Sequence, residues 1–405
     1  MNMKTKKRKR IFSLLLCMLL FLLLPMTSLR AENSSINTHA RAAALIDVES
    51  GRVLYSSRGD ESMPMASLTK IMTAIVAIEN GDLHGVVKVG KNAYAKEGSS
   101  LYLKLGEEMT LETMLYGLML RSGNDAASAI AEHVGGSEEG FVFMMNAKAE
   151  LLQLKNTHFA NPHGLDAKDH YSSANDLAVL TAYALHNPVF KEIVKTEEKT
   201  ADNPYEKWDY KWRNKNKMLR LYDGADGVKT GYTKIALRCL VSSATRNGQQ
   251  LVAVTLNDGD DWNDHTSLLN FGFNHYPLKT LIKRGDKVSG YDLFTSKDFN
   301  YPLGKGEQER LVTKMILYSE SKSGKSKLRP VDFGLQGVLQ LQLGGKEIGR
   351  IPLYAPDRLP PKAPVYNKKL SVEPTATYPS NTWLQAAVST LRALFQAGGR
   401  ETYHD

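Results

Sequence analysis

Three short stretches carry residues able to do covalent chemistry together. They are Ser67 and Lys70 in 66-ASLTKIMTAIVAIEN-80, Ser122 and Asn124 in 121-RSGND-125, and Lys229 in 227-GVKTGYT-233. A serine hydroxyl is a weak nucleophile and needs a base. A lysine three residues later lies one helical turn along, on the same face and within reach. To accept a proton near neutrality it must lose much of its ordinary basicity, through burial or a second nearby cation. Lys229 is a candidate for that second cation and would also attract an anionic substrate. Ser122, at a break between two apolar helical runs, is a candidate proton relay. Alone, Ser-x-x-Lys reads as a helix cap and a surface lysine, Ser-Gly-Asn as a turn, and Lys-Thr-Gly as a chance tripeptide. They occur in the order Ser-x-x-Lys, Ser-Gly-Asn, Lys-Thr-Gly, at separations of 55 and 107 residues, and together they hold the nucleophile, base, relay and second cation that one site would need.

The elements that would position these residues are legible as patterns. Leu68, Ile71, Met72, Ile75 and Ile78 recur at helical spacing, so 66–80 reads as one helix with Ser67 in its first turn. Helices are also expected at 110–121, 125–134, 138–153 and 174–187. Residues 41–56 read as a hairpin. Strands at 226–233, 236–245 and 250–256 follow, the last two joined by Asn247-Gly248, a strong hairpin signal. Strands, helices and strands again predict an α+β catalytic domain over 32–278, an antiparallel sheet beside a helical block. Alternating Val338, Leu339, Leu341 and Leu343, then Ile348, Ile351 and Leu353, predict a small all-β domain over 279–355.

The two ends of the chain read differently. Residues 1–31 hold Lys4, Lys6, Lys7, Arg8, Lys9, Arg10 and Arg30 and no acid, which leaves +2 of the formal net charge of +9 for the remainder. Such a balance argues against a nucleic-acid partner. The basic start and the run 11-IFSLLLCMLLFLLL-24 are expected to be a cleaved signal peptide. Cys239 is then the one cysteine left, so the exported chain holds itself together by its core. A Pro-rich linker is expected over 356–380. In 381-NTWLQAAVSTLRALFQAGG-399 the apolar residues gather on one helical face, which suggests an interfacial membrane anchor before a short tail, 400–405.

The three motifs and their order resemble the low-molecular-mass penicillin-binding proteins that are D-alanyl-D-alanine carboxypeptidases. The sequence is most like the sporulation-associated type of endospore-forming Gram-positive bacteria. The resemblance extends over most of 40–355, including 115-LYGLMLRSGNDAASAIAEHVGG-136, 161-NPHGLD-166 and 214-NKNKMLRLYDGADGVKTGYT-233. It implies a penicillin-binding, β-lactamase-like fold and an acyl-enzyme on Ser67, with Lys70 as proton acceptor and Ser122 as relay. Asn124, Lys229, Thr230, Gly231 and Thr233 would bind substrate, Thr233 at the terminal carboxylate. The implied partners are a peptidoglycan stem peptide ending in D-Ala-D-Ala, β-lactams as inhibitors, and the outer face of a membrane through 381–399. No metal or cofactor is implied.

Other features fit this reading less closely. The acid-rich 257-NDGDDWNDH-265 lacks calcium-loop spacing and reads as a solvated loop, with His265 a candidate cleft-edge residue. His163 and His170 read as local structural residues. Tyr205, Trp208, Tyr210 and Trp212 alternate like a strand with packed rings, with glycan stacking as the other reading. Lys215 is a further candidate partner for the substrate carboxylate. A serine β-lactamase would need a carboxylate for its deacylating water, and 161-NPHGLDAKDHYSS-173 shows no glutamate. A non-hydrolytic β-lactam or peptidoglycan sensor would need a signalling partner, and only residues 1–10 lie on the inner side of the signal segment.

Overall fold

The computed structural model describes residues 36–318 and 334–360. Its centre is a five-stranded antiparallel sheet in the order Val53–Ser57, Ala40–Asp47, Gln249–Asp258, Leu237–Arg246, Ala225–Thr233. Strands β1 (Ala40–Asp47) and β2 (Val53–Ser57) come from the start of the chain. Strands β3 (Val86–Lys88) and β4 (Glu108–Thr110) form one two-stranded ladder and β5 (Glu198–Ala201) and β6 (Tyr210–Arg213) another. Strands β7 (Ala225–Thr233), β8 (Leu237–Arg246) and β9 (Gln249–Asp258) come from far downstream, and β1 pairs with β9. Asn247 and Gly248 both take positive φ, 50° and 79°, and close the β8–β9 hairpin as their dipeptide predicts.

Alternate residues of the central strands serve two cores. Ala42, Ala44 and Ile46 of β1 and Val252 and Val254 of β9 face the helical block. Ala43, Leu45, Leu251 and Ala253 face a smaller cluster with Leu268 and Leu269. A strand buried on both sides must be apolar at every position, and these are. The helical block contains α1 (Lys70–Asn80), α2 (Leu111–Tyr116), α3 (Asn124–Gly135), α4 (Glu138–Leu151), α5 (Ala174–Leu185) and α6 (Pro188–Lys195). Side chains set several of its boundaries: Ser137 and Ser173 accept from the N–H groups of Gly140 and Asp176, and Asn187 precedes Pro188 at the first turn of α6.

Several expectations are corrected. The segment 66–80 is not one helix: Ala66–Thr69 is a 3-10 turn entered through a positive φ at Ala66, and the α-helix begins at Lys70. The 110–121 run divides into an α-helix and a π turn, Gly117–Arg121. Residues 257–265 are not a solvated loop. They hold the end of β9 and the start of a helix, Asp261–His275, that covers the second sheet face. Asp258, Asp261 and Asp264 are buried there. Asp261 takes the Arg238 guanidinium, and Asp264 takes the backbone N–H and ring of His39. Burial, with Asp264 nearby, raises the Asp258 carboxyl to about 6.

The segment after 278 forms a two-stranded ladder (Leu278–Ile282 with Phe299–Pro302) and a four-stranded antiparallel sheet. In the latter, Leu335–Leu343 and Lys346–Tyr354 pair as a hairpin, and Leu339, Leu341, Ile351 and Leu353 form the core. Arg52 ties this region to the five-stranded sheet. It donates to both carboxylate oxygens of Glu307 at 2.7 and 2.8 Å and to the Pro302 carbonyl at 2.7 Å. Its guanidinium also lies over the Tyr276 and Tyr301 rings. The 381–399 segment lies outside the described residues. Among those described, no helix is long and apolar enough to cross a membrane.

Candidate active site

Three separate elements bring the motif residues together. The 3-10 turn presents Ser67, and the first residue of α1 is Lys70. Lys70 is fully buried, and its Nζ lies 3.1 Å from Ser67 Oγ and 2.7 Å from Asn124 Oδ1, with a third partner in the His163 carbonyl. A protonated lysine has three N–H donors; a neutral one has two and a lone pair. Two of the partners are carbonyl oxygens that can only accept. In the neutral state they hold both N–H bonds and leave the lone pair for the Ser67 hydroxyl. Burial brings Lys70 down to about 7, with the charge of Lys215 assisting and Asp125 opposing. Its basicity is therefore poised for proton transfer at neutral pH.

Asn124 does more than line the cleft. Its side-chain oxygen holds Lys70 while its amide donates to the Glu97 carbonyl at 2.7 Å. The neighbouring Asp125 fixes the facing loop by accepting from Ser100 Oγ and from the N–H groups of Leu101 and Leu103. Ser122 takes a left-handed φ of 68°, and its Oγ is buried with no hydrogen-bond partner. A buried hydroxyl is costly to leave unpaired, which marks this atom as one awaiting a ligand.

Strand β7 forms another wall. Gly231 lies so close to the nucleophile turn that a Cβ there would sit 3.1 Å from the Ser67 nitrogen and 3.2 Å from the Met65 carbonyl oxygen. A side chain here would make the strand and the turn give by a few tenths of an ångström, so glycine suits this close approach. Lys229 is buried, its Nζ donating to the Thr230 carbonyl at 2.8 Å. Burial, then Lys70 and Lys215, holds its amine well below the ordinary lysine range. Thr233 Oγ1 accepts from the Ala236 N–H and donates to Asp166 Oδ1 at 2.8 Å. Lys215 reaches Ser99 Oγ at 3.2 Å, beside the cleft.

The histidines take supporting places. His163 Nδ1 accepts from the Leu165 N–H, so Nε2 carries the proton and faces Glu138 at 3.4 Å. His170 is buried under the nucleophile turn against Thr69 Oγ1, and burial lowers it to about 3. His265 does not edge the cleft: it is buried between its own helix and the sheet, against Ser242 and Thr255. The aromatic stretch is a strand only over Tyr210–Arg213; Tyr205 and Trp208 precede it. Sequence reasoning missed the roles of the His163 carbonyl, Asp125 and Asp166. The first is a backbone atom without a side-chain signature. Asp125 directly follows Ser-Gly-Asn and Asp166 ends 161-NPHGLD-166, and that adjacency was their signal.

The whole assembly has close counterparts among known proteins. The sequence profile of D-alanyl-D-alanine carboxypeptidases matches residues 28–260. The chain is 35% identical over 345 residues to the D-alanyl-D-alanine carboxypeptidase DacF of Bacillus subtilis, covering 80% of this chain and 87% of that one. It is 33% identical over 357 residues to DacC of Escherichia coli, covering 82% and 88%. The fold is similar to that of penicillin-binding protein 5 of Haemophilus influenzae, with a TM-score of 0.65 at 27% identity over 79% of this chain and 97% of the other. The chain thus belongs to the D-alanyl-D-alanine carboxypeptidase family, the low-molecular-mass penicillin-binding proteins, and is a serine hydrolase of cell-wall metabolism.

Proposed function

We propose that Ser67 is the acylated nucleophile in removal of the terminal D-alanine from peptidoglycan stem pentapeptides. The observation that carries this reading is the 3.1 Å approach of a Lys70 amine with a pKa of about 7 to the Ser67 hydroxyl. Ser67 Oγ attacks the penultimate carbonyl carbon while its proton passes to Lys70. The Ser67 N–H and an N–H of β7, held close by Gly231, stabilise the oxyanion. The C–N bond then breaks, and the departing D-alanine amine takes a proton relayed through Lys70 and Ser122. Water attacks the ester carbonyl as Lys70 accepts its proton, the bond from the acyl carbon to Ser67 Oγ breaks, and Lys70 returns the proton to that oxygen. Asn124 orients Lys70, while Lys229, Thr230 and Thr233 receive the terminal carboxylate. A β-lactam in the same cleft acylates Ser67 and leaves slowly.

The same reading assigns residues 1–31 as a cleaved signal, 32–278 as the catalytic domain, 279–355 as the small β domain and 356–380 as a linker. It assigns 381–399 to the outer membrane surface. The apolar face of that segment and the preceding prolines support anchoring, which fractionation of a chain ending at 380 tests. The peptidoglycan acted on is that of the cell wall or of the spore cortex. The central test is D-alanine release from diacetyl-Lys-D-Ala-D-Ala by protein lacking residues 1–31, with and without benzylpenicillin. Penicillin-sensitive release lost in Ser67→Ala supports the proposal. Stable labelling without release would favour a sensor, and rapid penicillin destruction without release a β-lactamase.

A further inference from the structure

A groove of about 530 Å³ lies between the 100–107 and 203–212 segments, beside the Ser122 loop. Its floor is firmly built. Trp212 is buried, and the Tyr210 ring tilts over it with centroids 5.1 Å apart. The Tyr210 hydroxyl donates to Glu107, a buried carboxylate whose other oxygen accepts the Lys104 N–H at 2.8 Å. Tyr205 Oη accepts from the Glu108 N–H at 3.0 Å. Two further rings in this groove stay in solvent: Tyr102 is 83% exposed and Trp208 67%. Tyr102 also holds a left-handed φ of 65°, a conformation that costs an L-residue energy. The Asp125 carboxylate holds that backbone through the Leu101 and Leu103 N–H groups on either side, and the exposed Tyr102 ring lines the groove.

The groove borders the Ser122 loop through Arg121. Arg121 lines it and is the residue before Ser122; its guanidinium has no hydrogen-bond or ion-pair partner among the described residues. Ser100 and Leu101 also line it and are fixed by Asp125, next to the Lys70 partner Asn124. A stem pentapeptide in extended form spans about 17 Å, so the sugar carrying it comes to rest near the rim of the cleft. A pyranose offers flat C–H faces to aromatic rings, and hydroxyls and amides to charged side chains. The groove supplies both kinds of partner, with Asp209 and Glu206 beside the rings and Arg121 at the cleft end.

We propose that this groove is a saccharide subsite, in which Trp208 and Tyr102 stack on an amino sugar of the glycan bearing the scissile stem peptide. The proposal rests on the peptidase reading of the Ser67 cleft. Its test measures D-alanine release by the full chain in detergent from a GlcNAc-MurNAc-pentapeptide and from the same pentapeptide without sugar. The sugar-bearing substrate is expected to show kcat/KM about tenfold higher, the equivalent of one good stacking interaction. Trp208→Ala and Tyr102→Ala should each erode that preference and leave the bare peptide unchanged. Separately, saturation-transfer NMR of a peptide-free GlcNAc-MurNAc oligosaccharide should show binding to Ser67→Ala protein, and the signal should vanish when Trp208→Ala is added. Both substrates cleaved at equal rates, or a preference that survives in both ring variants, overturns the subsite. A saturation-transfer signal that depends on Trp208, with neither peptide cleaved, upholds the subsite and rejects the peptidase reading.

Discussion

Thr233 Oγ1 donates to Asp166 Oδ1 at 2.8 Å, so in the free protein a side-chain carboxylate already holds a hydroxyl proposed to receive the substrate's carboxylate. The two anions compete for one donor. Asp166→Asn removes the charge and keeps the shape. KM for a D-Ala-D-Ala peptide is expected to fall about two- to fivefold, the scale of one exposed charge interaction, with kcat little changed. Steady-state kinetics check this; a raised KM would mean that Asp166 orients Thr233 for substrate.

Lys70 must be neutral to accept a proton, so kcat/KM should rise with pH through about 7. The Lys215 charge helps keep Lys70 deprotonated. Lys215→Met removes that charge, and the basicity of Lys70 goes up. The acidic limb of the profile should then move to higher pH, with activity recovering on the alkaline side. An unmoved limb would separate Lys215 from the electrostatics of the base.

Ser122 Oγ is buried and unpaired. Ser122→Ala removes a polar atom that nothing in the fold satisfies, so the thermal midpoint should hold or rise, by up to about 1 kcal/mol of stability. Turnover should fall about 100-fold or more if the hydroxyl relays protons. Calorimetry and D-alanine release on one sample read both effects. A loss of stability would assign Ser122 to the scaffold instead.

Arg52 is bound by Glu307, the Pro302 carbonyl and two tyrosine rings. Arg52→Ala leaves a half-buried Glu307 without its main partner and should cost about 2–4 kcal/mol. Limited proteolysis after residue 278 should accelerate, while peptide turnover at low temperature stays near that of the parent. Equal slowing of turnover would show that the link also shapes the cleft.

Much of this site was legible in the chain because its chemistry lies in three ordered motifs, each at the end of an element with clear periodicity. Ser67, Lys70, Asn124 and Lys229 converge as their spacing suggests. The acid-rich 257–265 segment misled because Asp261 and Asp264 find partners in Arg238 and His39, 23 and 225 residues away. Burial of a charge through long-range pairing leaves no local trace, so the start of the helix that covers the second sheet face looked like a loop. The 3-10 turn at Ser67 was hidden for a related reason. The positive φ of Ala66 sits where the turn packs against Gly164, a distant residue at which even a methyl group would collide with the Ala66 carbonyl.

The buried lysines have a calorimetric consequence. The Lys229 amine is held well below its ordinary range in the free protein. An anion arriving beside it makes the protonated form favourable again, so binding draws a proton from solution. For Ser67→Ala protein titrated with a D-Ala-D-Ala peptide, the heat observed should depend on the ionisation enthalpy of the buffer, with the slope of net uptake. The carboxylate end of the substrate would then bring its own counter-charge into the cleft, and affinity would weaken as the solution becomes alkaline.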